Sequence, residues 1–373
     1  MIGPTAAEQG PSSWFQRYLL PGLAFKAVVI GGGYATGREL AEFFLPSGPR
    51  GGLLAMLLAM GIWSAVCAIT FCLARSTSSW DYRTFFTHLL GPFWVLFEAA
   101  YLLFIILILA VFGAAAGAIG AAVLNWPPLL GTCCLIICIS FVAAYGSTSV
   151  ERLFKWVSLI LYGVYAMFVV LSLFAFGDRI LVNFAASTPM QGWAGGGLTY
   201  ASYNIVGAVV ILPVLRHLRS NKDALIAGAL AGPLAMIPAL LFFVCMIAYF
   251  PQIAAEPLPS DFLLRRLNFP AFHYLFQLMI FLALLESGTG CVHAINERIA
   301  EAHAARTGRT ISKAVRLLIT GALLVGSIFL AARFGLVTLI ARGYRGLAYL
   351  FIGVFVLPVM TLGLRQLWKM RPA

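Results

Sequence analysis

The 373 residues are 61% hydrophobic and only 10% charged, more apolar than a soluble domain of this size needs, and the apolar runs have membrane length. A formal net charge of +12 invites a nucleic-acid partner, but the basic residues lie at the ends of apolar runs and form no single patch, so nucleic acid is excluded. The seven cysteines all fall in apolar segments without zinc-like spacing. They read as small core residues, and no cofactor is expected.

Residues 1–17 form a polar N-terminal segment, read as cytoplasmic and without a cleavable leader. Ten apolar runs follow, at about 18–45, 52–74, 92–124, 128–146, 153–176, 197–218, 223–250, 270–298, 312–332 and 346–366, and 367–373 is a polar tail. With both termini cytoplasmic, sixteen Lys/Arg flank the inner ends and seven the outer ends, Lys26 and Arg38 falling within the first run. That bias follows the positive-inside rule and assigns the chain to the cytoplasmic (inner) membrane, with the lipid bilayer as its first partner. Seven of the eight Trp sit near segment ends, where amphipathic rings favour the interface, and Trp63 alone lies deep within a run.

The first run is interrupted by Gly31-Gly32-Gly33. Each glycine costs about 1 kcal/mol against alanine in a helix. A helix broken in a bilayer exposes backbone groups that only protein, water, an ion or a solute can satisfy. The sixth run opens with Gly195-Gly196-Gly197 and carries Tyr203-Asn204-Ile205-Val206-Gly207 and then Pro213. The third and eighth runs are the two long ones. Five runs per half is an odd number, which forces the halves at 18–176 and 197–366 into opposite orientation. The expected fold is therefore all-α and polytopic: one membrane domain at 18–366 with ten transmembrane helices in a 5+5 inverted repeat, helices 1 and 6 being discontinuous. Between the runs, 177–196 and 251–269 read as outer loops. The amphipathic stretch at 254–267 is expected to rest on the interface or to form part of a lid. The segment 299–311 continues the eighth helix inwards.

The opening stretch Gly31-Gly32-Gly33-Tyr34-Ala35-Thr36-Gly37-Arg38-Glu39 resembles the GAGFASGQE-type opening of the YkvI-like membrane proteins. These belong to the amino acid–polyamine–organocation superfamily, which shares the LeuT fold. Tyr200-Ala201-Ser202-Tyr203-Asn204 is similar to that family's Tyr-x-Ser-Phe-Asn pattern, and Gly335 to Tyr344 with Pro358 to its last-helix region. The chain departs from the pattern with a third glycine in place of alanine and with Arg38 where glutamine is usual. The resemblance implies a LeuT-like fold and a transporter.

In a first helix broken at 31–33, the outer half presents free N–H groups around Gly33, Tyr34 and Ala35, which favour an anionic group. The inner half presents the carbonyls of Val29, Ile30 and Gly31, which favour a cation. Candidate solute contacts are Gly31, Gly32, Gly33, Tyr34 and Thr36 from this helix, with Tyr200, Ser202, Tyr203 and Asn204 from the sixth; the Thr36 hydroxyl has its own helix as an alternative partner. Glu286 lies near mid-membrane, where an acid marks a functional site by default. By resemblance to LeuT-fold transporters, Ser287 and Thr289 could join Val29 and Ile30 at a sodium ion, with Glu286 at that ion site or carrying a proton. Lys26 either snorkels, pairs with Glu286, or stands in for a cation. Glu39 and Glu42 either draw cations into an outer vestibule or pair with Arg38 and outer arginines. Glu98 reads as the partner of a cytoplasmic arginine.

The expected function is a secondary active transporter of a small amino-acid-like solute, coupled to Na⁺ or H⁺. The alternative is a non-transporting ligand sensor on the same permease fold. No P-loop is present. Ser287 and His293, six residues apart on one helix, are separated by about 9 Å along its axis, too far for a hydrolase pair. The chain is not expected to be an enzyme.

Overall fold

The computed structural model describes residues 12–145, 148–186, 188–307 and 312–370, and no strand occurs among them. In lipid every backbone polar group must be satisfied within its own segment, which leaves these apolar runs only the helix. In chain order the helices are α1 (Trp14–Tyr18), α2 (Leu20–Val29), α3 (Gly32–Ala35), α4 (Arg38–Phe43), α5 (Gly48–Ser76), α6 (Tyr82–Leu90), α7 (Trp94–Leu124), α8 (Pro128–Tyr145) and α9 (Thr148–Ala185). The second half holds α10 (Trp193–Asn204), α11 (Gly207–Val210), α12 (Asn221–Ile247), α13 (Pro259–Leu267), α14 (Pro270–Thr307), α15 (Lys313–Thr338), α16 (Arg345–Phe351) and α17 (Leu364–Lys369).

Among the described residues, six stretches are long and apolar enough to cross a membrane, the last being Leu318–Lys369. That stretch of 52 residues is broken at Gly335, whose φ of 69° suits glycine, so it holds two expected spans. With the interrupted first and sixth helices and α8, the arrangement is consistent with ten.

The helices group as a repeat would group them. α2, α5, α10 and α12, the first two spans of each half, pack on one another. α7, α8, α14 and α15, the third and fourth of each half, form a second set. Small residues allow the tightest approach: a Cβ on Gly228 would strike the Ala68 backbone, and one on Gly232 the Met60 carbonyl.

Several boundaries differ from expectation. The segment 177–196 is not all loop, because α9 runs to Ala185. Nor is 333–345 a loop: the helix resumes after Gly335 and passes through π-helical turns at Leu339–Tyr344, Ile352–Val356 and Val359–Gly363, which puts Arg342 and Arg345 on a helix. α6 was hidden by its polar face. Asp81 caps it, accepting from the Thr84 N–H at 2.8 Å, and Phe85, Phe86 and Leu89 point into the core. α14 does extend the eighth span, to Thr307, with 308–311 outside the described residues.

Polar side chains tie the helix ends together at both faces. On the face carrying α1, Tyr18 Oη donates to Asp223 at 2.9 Å, Arg17 approaches the same carboxylate at 3.7 Å, and Arg75 reaches Asn221 at 2.6 Å. Glu98 meets Arg298 at 3.4 Å, and that guanidinium lies over the rings of Tyr82 and Tyr101. On the opposite face, Ser47 donates to the Gln191 carbonyl at 3.0 Å and Asn183 to the Ile247 carbonyl at 2.7 Å.

Candidate solute site at the helix breaks

Helix one is interrupted twice. α2 ends at Val29, Ile30 leaves helical geometry (φ −76°, ψ 82°), and the Gly31 N–H turns back to the Val29 carbonyl at 2.9 Å. A single turn, α3, follows. The second interruption is at Thr36 and Gly37, where φ is 80°. Thr36 Oγ1 donates to the Gly33 carbonyl at 3.0 Å and accepts from the Arg38 N–H at 3.4 Å, so it bridges α3 and the start of α4. Sequence reasoning placed only the first break, because an isolated glycine after threonine carries a far weaker signal than three in a row.

Helix six breaks after Asn204. α10 gives way to the single turn α11 and then to a 3₁₀ stretch, Leu212–His217, with Pro213 in its first turn. Gly195, Gly196 and Gly197 take no part in this break; they lie within regular α10.

The two breaks meet through one carboxylate. Helical side chains lean toward the N-terminus, which carries the Glu39 carboxyl back from α4 onto Gly33. A Cβ on Gly33 would collide with Glu39 Oε1, Cδ and Cγ. From α10, Tyr203 Oη donates to Glu39 Oε2 at 2.6 Å. Glu39 is 3% exposed, and among the described residues no cationic side chain pairs with it.

The surrounding wall is aromatic. Tyr203 packs on Tyr344 of the π-helical turn at a centroid distance of 4.4 Å and on Tyr200 at 5.7 Å. Tyr200 meets Phe44 at 4.8 Å and Trp63 at 5.5 Å. Trp63, deep in its span, is satisfied by donating to the Ala201 carbonyl at 3.0 Å. The Tyr200 hydroxyl is fully buried without a hydrogen-bond partner. Glu39 therefore lies where the two helix breaks meet. The outer-vestibule and Arg38-pairing roles open to it from sequence are both corrected, because its carboxyl folds back toward the break.

The partner of Arg38 is Glu42, at 2.8 Å, and Glu42 also lies 4.0 Å from Arg345. The same guanidinium donates to the carbonyls of Ala254 and Glu256 at 2.8 and 2.9 Å. α13 follows directly, its Ser260 N–H donating to the Thr36 carbonyl at 3.0 Å, with Pro259 through Leu264 buried. The expectation of a helix resting on the interface does not hold for α13, because Pro259 through Leu264 are buried in the bundle. Arg38→Gln removes its charged clasp, and hydrogen bonds to a charged group contribute about 1.5–3 kcal/mol each. The variant should raise thiol labelling of a cysteine placed at Ser260 by at least about tenfold, through local opening. Unchanged labelling would remove the latch role.

The remaining expected contacts are placed as follows. Ser202 Oγ donates to the Leu198 carbonyl at 2.6 Å and Asn204 Nδ2 to the Tyr200 carbonyl at 3.2 Å, each within its own helix. Tyr34 is fully buried beside Tyr165, whose hydroxyl donates to the Pro238 carbonyl at 3.1 Å. The Val29 carbonyl is taken by Gly31, whereas that of Ile30 accepts no hydrogen bond from a described residue. α14 packs on α3, and Thr289 Oγ1 donates to its own Leu285 carbonyl at 2.7 Å. Lys26 Nζ sits 4.0 Å over the ring of Tyr162, and half-buried Glu286 lies within electrostatic reach of that phenol. Lys26, Tyr162 and Glu286 thus form a second polar group on the α2 side of the break.

An all-helical membrane bundle with first and sixth helices interrupted opposite each other is the LeuT-like fold. No protein-family model and no curated protein matches the chain. Solved structures do match. The structure of MhsT in complex with L-phenylalanine aligns over 96% of this chain and 98% of its own, at 16% identity and TM-score 0.55. A variant of the Eremococcus coleocola manganese transporter aligns over 94% of this chain and 80% of its own, at 15% identity and TM-score 0.57. The same transporter bound to an aromatic bis-isothiourea compound gives 16% identity and TM-score 0.51 over the same shares. At such identities the likeness is one of fold.

Proposed function

We propose that this chain is a secondary active transporter of a small amino-acid-like solute in the cytoplasmic membrane, both termini cytoplasmic, similar to the YkvI-like proteins. The observation that carries this reading is the meeting of two helix breaks, one from each half, around a buried carboxylate–phenol pair. Discontinuous helices in that arrangement are the usual midplane binding device of alternating-access proteins. Tyr18, Arg17 and Asp223 close the cytoplasmic path, while Arg38 and α13 close the outer one. Rocking of the α2, α5, α10 and α12 bundle against the other set opens each in turn. Na⁺ at the Ile30 carbonyl with Ser287 and Thr289, or a proton on Glu286, supplies the coupling. Among the described residues no group of three or more His, Cys, Asp or Glu could hold a metal ion, which favours an organic solute over a transition metal as cargo.

The test is a thermal-stability screen of the purified chain against amino acids and amines, in Na⁺ and in K⁺ at two pH values, followed by uptake into proteoliposomes. A ligand that binds only the folded state raises the midpoint by mass action. Sodium-dependent stabilisation with uptake supports Na⁺ coupling; pH-dependent stabilisation lost in Glu286→Gln supports H⁺. Stabilisation without uptake of any solute would overturn transport.

A further inference from the structure

Glu39 is the one feature of the midplane that an amino-acid site of the expected kind does not need. The N–H groups opening α3 were expected to take the solute's carboxylate. The chain lays its own carboxyl there instead, against Gly33. An arriving carboxylate would meet a like charge in a poorly screened interior, where repulsion is far stronger than in water. One phenol, at 2.6 Å, is the only hydrogen-bond donor from a described side chain that Glu39 has. A buried carboxyl so sparsely partnered is neutralised by a proton or compensated by a bound cation, and a cationic solute can take the place of that proton.

The surroundings indicate which cation. Tyr34, Tyr200, Tyr203 and Tyr344 all lie within the electrostatic reach of Glu39. Three of them are in ring contact one after another, Tyr200 with Tyr203 edge to face at 87° and Tyr203 with Tyr344 tilted at 33°. The fully buried Tyr200 hydroxyl has no partner. A hard metal ion asks for a shell of oxygen ligands, and among the described residues no group of three or more His, Cys, Asp or Glu gathers around Glu39 to supply one. Ring faces beside a single carboxylate are the recurring chemistry for an organic ammonium.

We propose that Glu39, with the rings of Tyr200, Tyr203 and Tyr344, is the binding site for an ammonium group, so that the solute is an amine whose positive end, not a carboxylate, is read at the helix breaks. This rests on the midplane being the solute site, but not on transport. In the closed form described here Tyr203 holds the carboxylate. The ammonium takes over that charge when the bundle opens, and the Tyr200 hydroxyl oxygen accepts a hydrogen bond from one of its N–H groups.

The experiment is calorimetric titration and thermal stability of the full chain with protonated butylamine and, separately, butyrate, at equal ionic strength. Butylamine should bind saturably and raise the midpoint, and butyrate should do neither. Glu39→Gln should weaken butylamine at least tenfold, and Tyr200→Phe severalfold, with the ring retained. Butyrate binding as well as butylamine, or full amine affinity in Glu39→Gln, overturns the proposal. So does stabilisation by Na⁺ alone, lost in Glu39→Gln, with none from the amine; that result would give the carboxyl to a metal ion. If Glu39→Gln does not fold, the butylamine and butyrate comparison on the unmodified chain and the Tyr200→Phe variant still decide. Amine binding without amine uptake into proteoliposomes would keep this site and remove the transporter reading instead.

Discussion

Gly33→Ala should weaken solute binding by about ten- to a hundredfold, more than any other single-methyl addition at the first break. The added Cβ falls on Oε1, Cδ and Cγ of Glu39. That side chain is buried between α4 and α10, so it cannot swing into solvent, and its carboxyl must leave the Tyr203 hydroxyl. A displaced carboxyl no longer meets the solute's ammonium, and that hydrogen bond to a charged group is worth about 1.5–3 kcal/mol; each 1.4 kcal/mol is about tenfold in affinity.

Gly31→Ala is the internal control. Its Cβ would meet only the Phe112 ring, at 3.3 Å, and a ring edge can yield by a few tenths of an ångström. A loss of about threefold or less is expected there. The stronger check is a double-mutant cycle, in which Gly33→Ala added to Glu39→Gln should cost little beyond Glu39→Gln alone, because both act on one contact. The affinity is read by titration with whichever solute stabilises the unmodified chain. Additive losses would show that Gly33 acts through the backbone and not through Glu39.

The contrast between Gly33 and Gly31 shows where sequence reasoning stops. The three glycines revealed that helix one breaks, since no other run contains them at mid-span, and Asn204 beside Ile205 and Gly207 marked the second break correctly. The spans also follow from apolar length: 128–146 was expected and α8 is Pro128–Tyr145. Pro233 and Pro238 sit inside α12 without ending it. What could not be read was direction. Whether the Glu39 carboxyl points out to a vestibule or back across Thr36 and Gly37 is decided by Tyr203, 164 residues away in sequence. The same holds for Arg38, whose partners include two carbonyls of the 251–269 segment. Local sequence reports helix propensity and polarity; it does not report which distant group completes a buried charge.

The second large effect separates three neighbours that looked alike in sequence. Gly195, Gly196 and Gly197 open the sixth apolar run, and in the structure they form part of regular α10. A Cβ on Gly196 would run into the Phe43 carbonyl and one on Gly197 into the Ala55 carbonyl, whereas Gly195 has nothing within 4 Å. Backbone oxygens held in α4 and α5 cannot move aside as a side-chain tip can. Gly196→Leu and Gly197→Leu should therefore destabilise by about 3 kcal/mol or more, beyond the usual overpacking range, and lose monodisperse protein in detergent. Gly195→Leu should fall within about 0.5 kcal/mol of the unmodified chain, as surface changes do, or gain from better helix propensity. Thermal midpoints of the three variants in detergent read the difference. Equal damage from all three would mean that flexibility, not close approach, is what the triplet supplies. If the gradient holds, the glycines act by letting α10 sit hard against α4 and α5. That close seat is what brings Tyr203 within hydrogen-bond distance of Glu39, so a wedge at Gly197 should abolish solute binding even in the fraction that folds.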